Sequence, residues 1–316
     1  PDGCIQTCVT SPPYWGLRDY GHDEQIGLEQ SPQEYVAQMV AVFREARRAL
    51  ANDGTLWLNL GDSYAATSKG SGGEGSGSLG PSTSSNDAKR KLADSSNGRA
   101  HYKPRSFDLG AIGLKPKDLV GIPWMVAFAL RDDGWYLRSE IIWHKPSPMP
   151  ESVTDRPTKS HEHLFLLSKS ASYFYDADAI REPHAHPDLA RKIPKLENKN
   201  RTSDYQRDSG RNDGGGHISG VGFRSDPDKG RNKRDVWTIA SQPFDGAHFA
   251  VMPPDLVTPC VLAGSRTGDV VLDPFFGSGT VGMVAETCGR RWIGFELNPE
   301  YVALANGRTA QKGLAL

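Results

Sequence analysis

At 316 residues the chain is long enough to bury a sizeable core, as one large α/β domain with insertions or as two domains. Thirty-seven Lys and Arg against 38 Asp and Glu leave a net charge of −1, so no whole-molecule field advertises a polyanionic partner and any basic surface must be local. The four cysteines, Cys4, Cys8, Cys260 and Cys288, form no CxxC pair, which argues against a zinc site or a disulfide framework and predicts free thiols in a reducing compartment. No apolar run reaches membrane-spanning length and no basic-then-apolar signal opens the chain, so the expected location is the cytoplasm, away from any membrane. Pro1 stands almost at the start of a strand with no initiator methionine, which reads as a piece of a longer chain.

Cys4-Ile5-Gln6-Thr7-Cys8-Val9 has apolar residues in both phases of the alternation, the pattern of a strand buried on both faces of a parallel sheet. Thr10-Ser11-Pro12-Pro13-Tyr14-Trp15 follows at its carboxyl end, where open α/β sheets place their ligands. Two prolines make a stiff turn without local N–H donors, so the Ser11 hydroxyl and the Pro12 carbonyl form a preformed acceptor site. Such a pair can draw the hydrogens of a base amine out of the ring plane and free its lone pair to attack. Tyr14 offers an aromatic face for an extruded base. In isolation the same six residues also suit a strand-to-turn exit with a packed aromatic.

After a loop over 16–30, Ser31-Pro32-Gln33-Glu34 reads as an N-cap with Pro at the first helical position. Tyr35, Val36, Met39, Val40, Phe43, Ala46 and Leu50 recur at helical spacing, with Arg44, Glu45, Arg47 and Arg48 on the other side. Asn52-Asp53-Gly54 reads as a turn before a buried strand over 55–60. From Thr67 to about Arg105 the chain is Gly, Ser, Lys and Asn with almost no large apolar residue, and a mobile loop is expected there. Its Lys89-Arg90-Lys91 run reads as a solvated charge cluster.

A helix is expected through Ile122, Met125, Ala127, Phe128 and Leu130, then a strand pair over 135–143 and 163–168 joined by the Pro-rich loop over 145–150. His161-Glu162-His163 lacks the helical HExxH spacing and reads as strand entry, with no metal site. From Arg181 to Arg234 thirteen Lys and Arg face eight Asp and Glu, with only isolated apolar anchors, the composition of a DNA-facing insertion.

The chain returns to order with Asp235-Val236-Trp237, a helix from Pro253-Pro254-Asp255 through Leu262, and a strand at Val270-Val271-Leu272. Asp273-Pro274-Phe275-Phe276-Gly277-Ser278-Gly279-Thr280 joins that strand to a helix starting near Val281, the strand, glycine turn and helix of a nucleotide site. No Lys follows the glycines, against a P-loop. A second strand, Trp292-Ile293-Gly294-Phe295, ends in Glu296 about twenty residues on, placed for two ribose hydroxyls. The spacing suits a dinucleotide and S-adenosyl-L-methionine alike. Pro259-Cys260 superficially offers a nucleophilic thiol, but Cys260 falls inside an apolar-periodic helix and reads as structural.

Both motifs together resemble the amino-group DNA methyltransferases that use S-adenosyl-L-methionine, in the subgroup whose acceptor motif precedes the cofactor motif. Thr10-Ser11-Pro12-Pro13-Tyr14-Trp15 is similar to the catalytic motif, Asp273-Pro274-Phe275 with Gly277-Ser278-Gly279-Thr280 to the cofactor loop, Glu296 to the ribose acid, and His248-Phe249-Ala250 through Leu256 to a cofactor-flanking element. The resemblance covers nearly the whole chain. It implies a Rossmann-like, mostly parallel sheet with helices on both faces and circularly permuted motif order: residues 1–175 as the catalytic half, 176–234 as target recognition insertion, 235–316 as the cofactor half. Ser11, Pro12, Pro13 and Tyr14 would be catalytic; Thr10, Phe249, Asp273, Phe275, Gly277, Ser278, Gly279, Thr280 and Glu296 would bind cofactor. The implied partners are double-stranded DNA and a cognate restriction endonuclease.

Ser rather than Asp at the first motif position implies N4 of cytosine, with N6 of adenine as the alternative base. The implied reaction is direct transfer to the amine of a flipped base, without a covalent enzyme intermediate. In such proteins a strand ending in Gly-Asp, which helps hold the cofactor's adenine, precedes the acceptor strand; Pro1 starts too late to include it. A DNA-binding module without catalysis and a dinucleotide oxidoreductase are the rival readings, and the second leaves Ser-Pro-Pro-Tyr unexplained.

Overall fold

Six consecutive residues, Ile5–Thr10 (β1), are all buried, and this strand lies inside a seven-stranded sheet of a computed structural model. The structure describes residues 1–17, 20, 22, 24–67, 76–79, 105–184, 230–242 and 251–310. Ser31 caps helix α1 (Pro32–Ala49): its hydroxyl accepts the Glu34 N–H while the Glu34 carboxylate accepts the Ser31 N–H, so two otherwise unpaired donors are satisfied reciprocally. Tyr35, Met39, Phe43 and Ala46 form its buried stripe, as their spacing predicts.

β2 (Leu50–Leu60) starts directly from the last turn of α1. The turn expected at Asn52-Asp53-Gly54 is therefore corrected: those residues belong to the strand. The register with β1 shifts between Ile5 and Thr7, and Gln6 Nε2 donates to Asp53 Oδ1 at 3.2 Å across the irregularity. The extra residues on the β2 side are accommodated at this irregularity without ending the strand.

The loop expected over 67–105 is also corrected at its described residues. β3 (Ala65–Thr67), β4 (Ser76–Leu79) and β5 (Arg105–Asp108) form a separate antiparallel sheet. Gly- and Ser-rich chain has low strand propensity, but a ladder is made of backbone groups and needs no large side chain to close. Lys89-Arg90-Lys91 lies outside the described residues.

Helix α2 (Ile122–Asp132) is capped from a distance, the Asp62 carboxylate accepting the N–H groups of Gly121 and Ile122 at 3.0 and 3.1 Å. β6 (Tyr136–His144) and β7 (His161–Ser168) form the expected antiparallel pair, and β8 (Val236–Thr238) adds parallel to β6. Helix α3 (Pro254–Gly264), β9 (Val270–Asp273), helix α4 (Thr280–Thr287), β10 (Arg291–Gly294) and helix α5 (Pro299–Ala310) complete the chain.

Strand order in the large sheet is β10-β9-β1-β2-β7-β6-β8, with β7 alone antiparallel to its neighbours. Helices cover both faces. Cys8, Leu56, Leu58 and Phe165 pack with α1 and α2 on one. On the other, α3 comes so close that a Cβ on Gly264 would stand 2.6 Å from Thr7 Oγ1 and 2.9 Å from Trp57 Nε1. The mostly parallel sheet with helices on two faces is the expected α/β fold.

By contacts the chain divides into two compact units, Pro1–Asp176 with Arg234–Leu316, and Ala177–Lys233. In the second, a 3₁₀ turn over Asp178–Ile180 leads to an isolated antiparallel bridge between Glu182 and Arg231.

Candidate active site

β1 and β9 are adjacent and parallel, Thr7 opposite Val271 and Cys8 opposite Leu272. Both chains therefore emerge at the same sheet edge, one into Ser11-Pro12 and the other into Asp273-Pro274. Thr10 Oγ1 donates to Asp273 Oδ1 at 2.5 Å, and the same oxygen accepts the Phe275 N–H at 3.0 Å. Burial drives the Asp273 carboxyl from 3.8 up to about 7, with Glu296's charge adding to it against the two hydrogen bonds.

The glycine turn is tied to the end of β10. Gly277 donates to Glu296 Oε2 at 2.8 Å and Asn298 to Oε1 at 2.9 Å, so one carboxylate holds both loops. Gly279, at φ 79°, precedes α4, and a Cβ there would stand 2.9 Å from the Ala305 Cβ of α5. Only glycine combines that dihedral with that approach. Arg308, near the end of α5, reaches back beneath the turn: its Nη1 donates to the Ser278 carbonyl and hydroxyl at 2.9 and 2.7 Å and to Thr280 Oγ1 at 3.1 Å.

Between these loops lies a cavity of about 400 Å³, a size suited to a small-molecule ligand. Ser11, Pro12, Pro13 and Tyr14 line one side; Asp273, Phe275, Gly277, Ser278, Thr280 and Glu296 line the other. Among the described residues the Pro12 carbonyl accepts no hydrogen bond, whereas the Pro13 carbonyl takes the Tyr35 hydroxyl at 2.9 Å. The Ser11 hydroxyl donates to the Tyr14 oxygen at 3.3 Å, and Tyr14 donates to Glu162 Oε2 at 2.6 Å. A stiff acceptor pair and an apolar, acid-bearing pocket thus share one space.

The sequence profile of the N6/N4 DNA methylases matches residues 5–307. The chain belongs to that family. Among curated relatives, the type II methyltransferase M.Cfr9I of Citrobacter freundii is 46% identical over 309 residues, covering 98% of this chain and 82% of the relative. M.SmaI of Serratia marcescens is 45% identical over 313 residues, covering 98% and 86%. Among solved structures, the PvuII DNA methyltransferase (cytosine-N4-specific) aligns with TM-score 0.56 at 18% identity, covering 98% of this chain and 80% of that one. TTHA0409 of Thermus thermophilus, complexed with S-adenosyl-L-methionine, gives 0.52 at 24%, covering 100% and 89%. At those identities the two structures speak for the fold.

Not every residue expected in this methylase's pocket lines it. Thr10 is fully buried behind Asp273, and Gly279 faces Ala305; both shape the wall from outside. Phe249 lies outside the described residues, while Met252 of the same element does line the cavity. Cys260 is buried in α3 with its thiol on the Leu256 carbonyl, as its spacing predicts, and is no nucleophile for this cavity. Tyr20, His22, Gln25, Phe295, Leu297 and Tyr301 also line the pocket and were not singled out by sequence.

The larger miss is Glu162 with Asn59 and Lys145. His161-Glu162-His163 does begin a strand, as expected, but Glu162 points into a polar cluster: Asn59 Nδ2 donates at 2.8 Å to both the Tyr14 oxygen and Glu162 Oε2, and the Lys145 ammonium binds Oε1. Burial alone would raise the Glu162 carboxyl, yet the Lys145 charge and three hydrogen bonds together hold it below its usual range. The sequence did carry a signal: Asn59 interrupts the apolar run Leu56-Trp57-Leu58-Asn59-Leu60, and a buried polar side chain in such a strand demands partners.

Proposed function

We propose that this amino-group DNA methyltransferase uses S-adenosyl-L-methionine to methylate N4 of a cytosine extruded from double-stranded DNA. The observation that carries the reading is the adjacency of β1 and β9, which puts the Ser11-Pro12 acceptors and the Asp273 to Gly277 turn on one cavity. The pocket fits such a cofactor. Its walls include Phe275, Phe295 and Leu297, its polar groups include Asp273 and Glu296, and the bare glycine turn admits close backbone approach. Glu296 spends two lone-pair directions on backbone N–H groups and keeps others for ribose hydroxyls.

When bound, S-adenosyl-L-methionine supplies an electrophilic methyl group on a sulfonium sulfur. The chain's part is positioning. Ser11 Oγ and the Pro12 carbonyl accept the hydrogens of the target amine, which localises its lone pair; the Tyr14 ring borders the base. The neutral serine hydroxyl in place of an aspartate supports cytosine through the family resemblance, with N6 of adenine as the second base. The unit Ala177–Lys233 is assigned to target recognition from its excess of basic residues, and a cognate restriction endonuclease is the expected companion.

The test is transfer of labelled methyl groups to duplex DNA, followed by digestion to nucleosides and mass identification. N4-methylcytosine is expected, and N6-methyladenine would reassign the base. Ser11→Ala combined with Tyr14→Ala should abolish transfer while cofactor binding persists; full activity in that double variant would remove the acceptor assignment. Binding of DNA with no transfer at all would favour the non-catalytic reading.

A further inference from the structure

Glu162 sits where the acceptor loop, β2 and the end of the β6–β7 connection meet. Its Oε2 takes the Tyr14 hydroxyl hydrogen at 2.6 Å and an Asn59 amide hydrogen at 2.8 Å, and its Oε1 takes the Lys145 ammonium. A phenol has one hydrogen to give, and Glu162 receives it. The Tyr14 oxygen is left as an acceptor, filled by Asn59 Nδ2 at 2.8 Å and by the Ser11 hydroxyl at 3.3 Å. The polarity then propagates outward. With its single hydrogen turned to Tyr14 and one lone pair facing the Asn59 amide at a long 3.5 Å, Ser11 Oγ keeps its other lone pair for an incoming donor. A target amine brings hydrogens and so meets an acceptor. Were the Ser11 hydrogen free to turn to the amine, it would compete for the lone pair that must attack.

We propose that Glu162 is a positioning residue for methyl transfer: acting through the Tyr14 hydroxyl, it fixes Ser11 Oγ as an acceptor toward the target amine. This rests on the amino-group methyltransferase reading above and deepens it. The surrounding electrostatics agree. The carboxylate, with 16% of its side chain exposed, is held in its charged form by Lys145, and burial with the adjacent Glu162 charge keeps the Tyr14 phenol protonated far above its ordinary range. Glu162 is not among the described residues that line the cavity, whereas Tyr14 is. Its influence therefore runs through the phenol.

A double-mutant cycle on the full chain, with labelled S-adenosyl-L-methionine and duplex DNA, tests this. Glu162→Gln and Tyr14→Phe should each lower kcat roughly 10- to 100-fold at saturating substrates, the loss associated with one charge-assisted hydrogen bond. The KM for cofactor should change by less than about twofold, because the interaction bears on the amine alone. The double variant should be no slower than Tyr14→Phe. Losses that multiply, or a Glu162→Gln variant with unaltered kcat, overturn the proposal. Lys145→Gln supplies a readout that a purely structural ion pair would not move: without the ammonium the carboxylate protonates more readily, so the acid limb of the kcat–pH profile should shift upward. An unmoved limb overturns the proposal. A fully active Ser11→Ala would instead defeat the acceptor reading itself, whereas an inactive Ser11→Ala beside an unimpaired Glu162→Gln defeats only the positioning role of Glu162.

Discussion

Thr10 and Asp273 stand 263 residues apart in the sequence and share a 2.5 Å hydrogen bond at the ends of adjacent parallel strands. The bond joins the last residues of β1 and β9, so the loops at Ser11-Pro12 and Pro274-Phe275 are fixed relative to one another. It also leaves a fully buried carboxyl, raised from 3.8 to about 7 mainly by desolvation.

That carboxyl gives stability a pH slope. Between pH 4 and 7 the unfolded chain has released this proton and the native chain has not, so ionisation favours unfolding and stability falls as pH rises through the window. The full cost above pH 7 is on the order of 4 kcal/mol. Asp273→Asn keeps an acceptor for Thr10 and removes the titration. Urea unfolding should show the variant more stable than the parent at pH 8 and little different at pH 4; equal stabilities at both would refute the raised value.

The same group would link binding of the proposed cofactor to pH. On the proposed reading a sulfonium cation held in this cavity would favour the ionised form of Asp273, so binding below pH 7 should release a proton. Affinity for S-adenosyl-L-methionine should therefore tighten from pH 6 to pH 8, with calorimetry in two buffers of different ionisation enthalpy counting the proton. In Asp273→Asn the tightening should vanish.

Gly61 sets the depth of Tyr14. A Cβ at Gly61 would lie 2.5 Å from Tyr14 Cε2 and 2.9 Å from Cδ2, and a ring cannot bend away as a flexible chain would. Gly61→Ala should push the ring outward, stretch its bonds to Asn59 and Glu162, and cost about 1–3 kcal/mol in stability as overpacking does. Methyl transfer should fall at least about tenfold while cofactor affinity holds, since the displaced group faces the amine. A crystal structure of the variant with Tyr14 unmoved would contradict this.

How much of this was legible in sequence depended on whether the signal was local. The strand end at Thr10-Ser11-Pro12, the strand, glycine turn and helix over 270–287, the Ser31 cap and the buried stripe of α1 are written in adjacent or helically spaced residues, and each has the local structure its pattern predicts. Three features were not legible for one reason: their partners are distant in the chain. Asn52-Asp53-Gly54 has turn composition, yet it lies within β2, at the place where the register with β1 shifts between the Leu50 and Thr55 pairs. Arg308 carries no local pattern that points to the turn, and only the fold brings it under Ser278 and Thr280. Glu162 meets Tyr14 across a separation of 148 residues, so neither residue's neighbours announce the other.

Gly279 tests the cofactor turn from behind. Its φ of 79° is one that a side chain adopts only under strain, and Ala305 Cβ already occupies the space a methyl would need. Gly279→Ala should cost about 1–3 kcal/mol and weaken cofactor binding by roughly tenfold or more, through a shifted turn rather than a lost contact. Ala305→Gly in the same chain relieves the clash but not the dihedral strain, so rescue should be partial. Complete rescue would show the dihedral to be irrelevant.

Arg308 offers the complementary test, because it touches the turn without lining the cavity. One guanidinium nitrogen satisfies a carbonyl and two hydroxyls that stand in buried surroundings, Ser278 at 2% and Thr280 at 4% exposure. Desolvation opposes placing a cation there and lowers its pKa, but a guanidinium keeps its charge and its fork of donors. Arg308→Met retains the aliphatic stem and leaves those three acceptors short of a donor, so the turn should loosen. Cofactor affinity should fall about tenfold, the size of one lost charged hydrogen bond, with kcat recovering at saturating cofactor because the acceptor loop is untouched. Arg308→Lys keeps a positive donor on a shorter stem without the rigid fork, and should fall between the parent and Arg308→Met. If Arg308→Met bound cofactor as tightly as the parent, the turn would be self-supporting and the guanidinium merely a filler between α5 and α4.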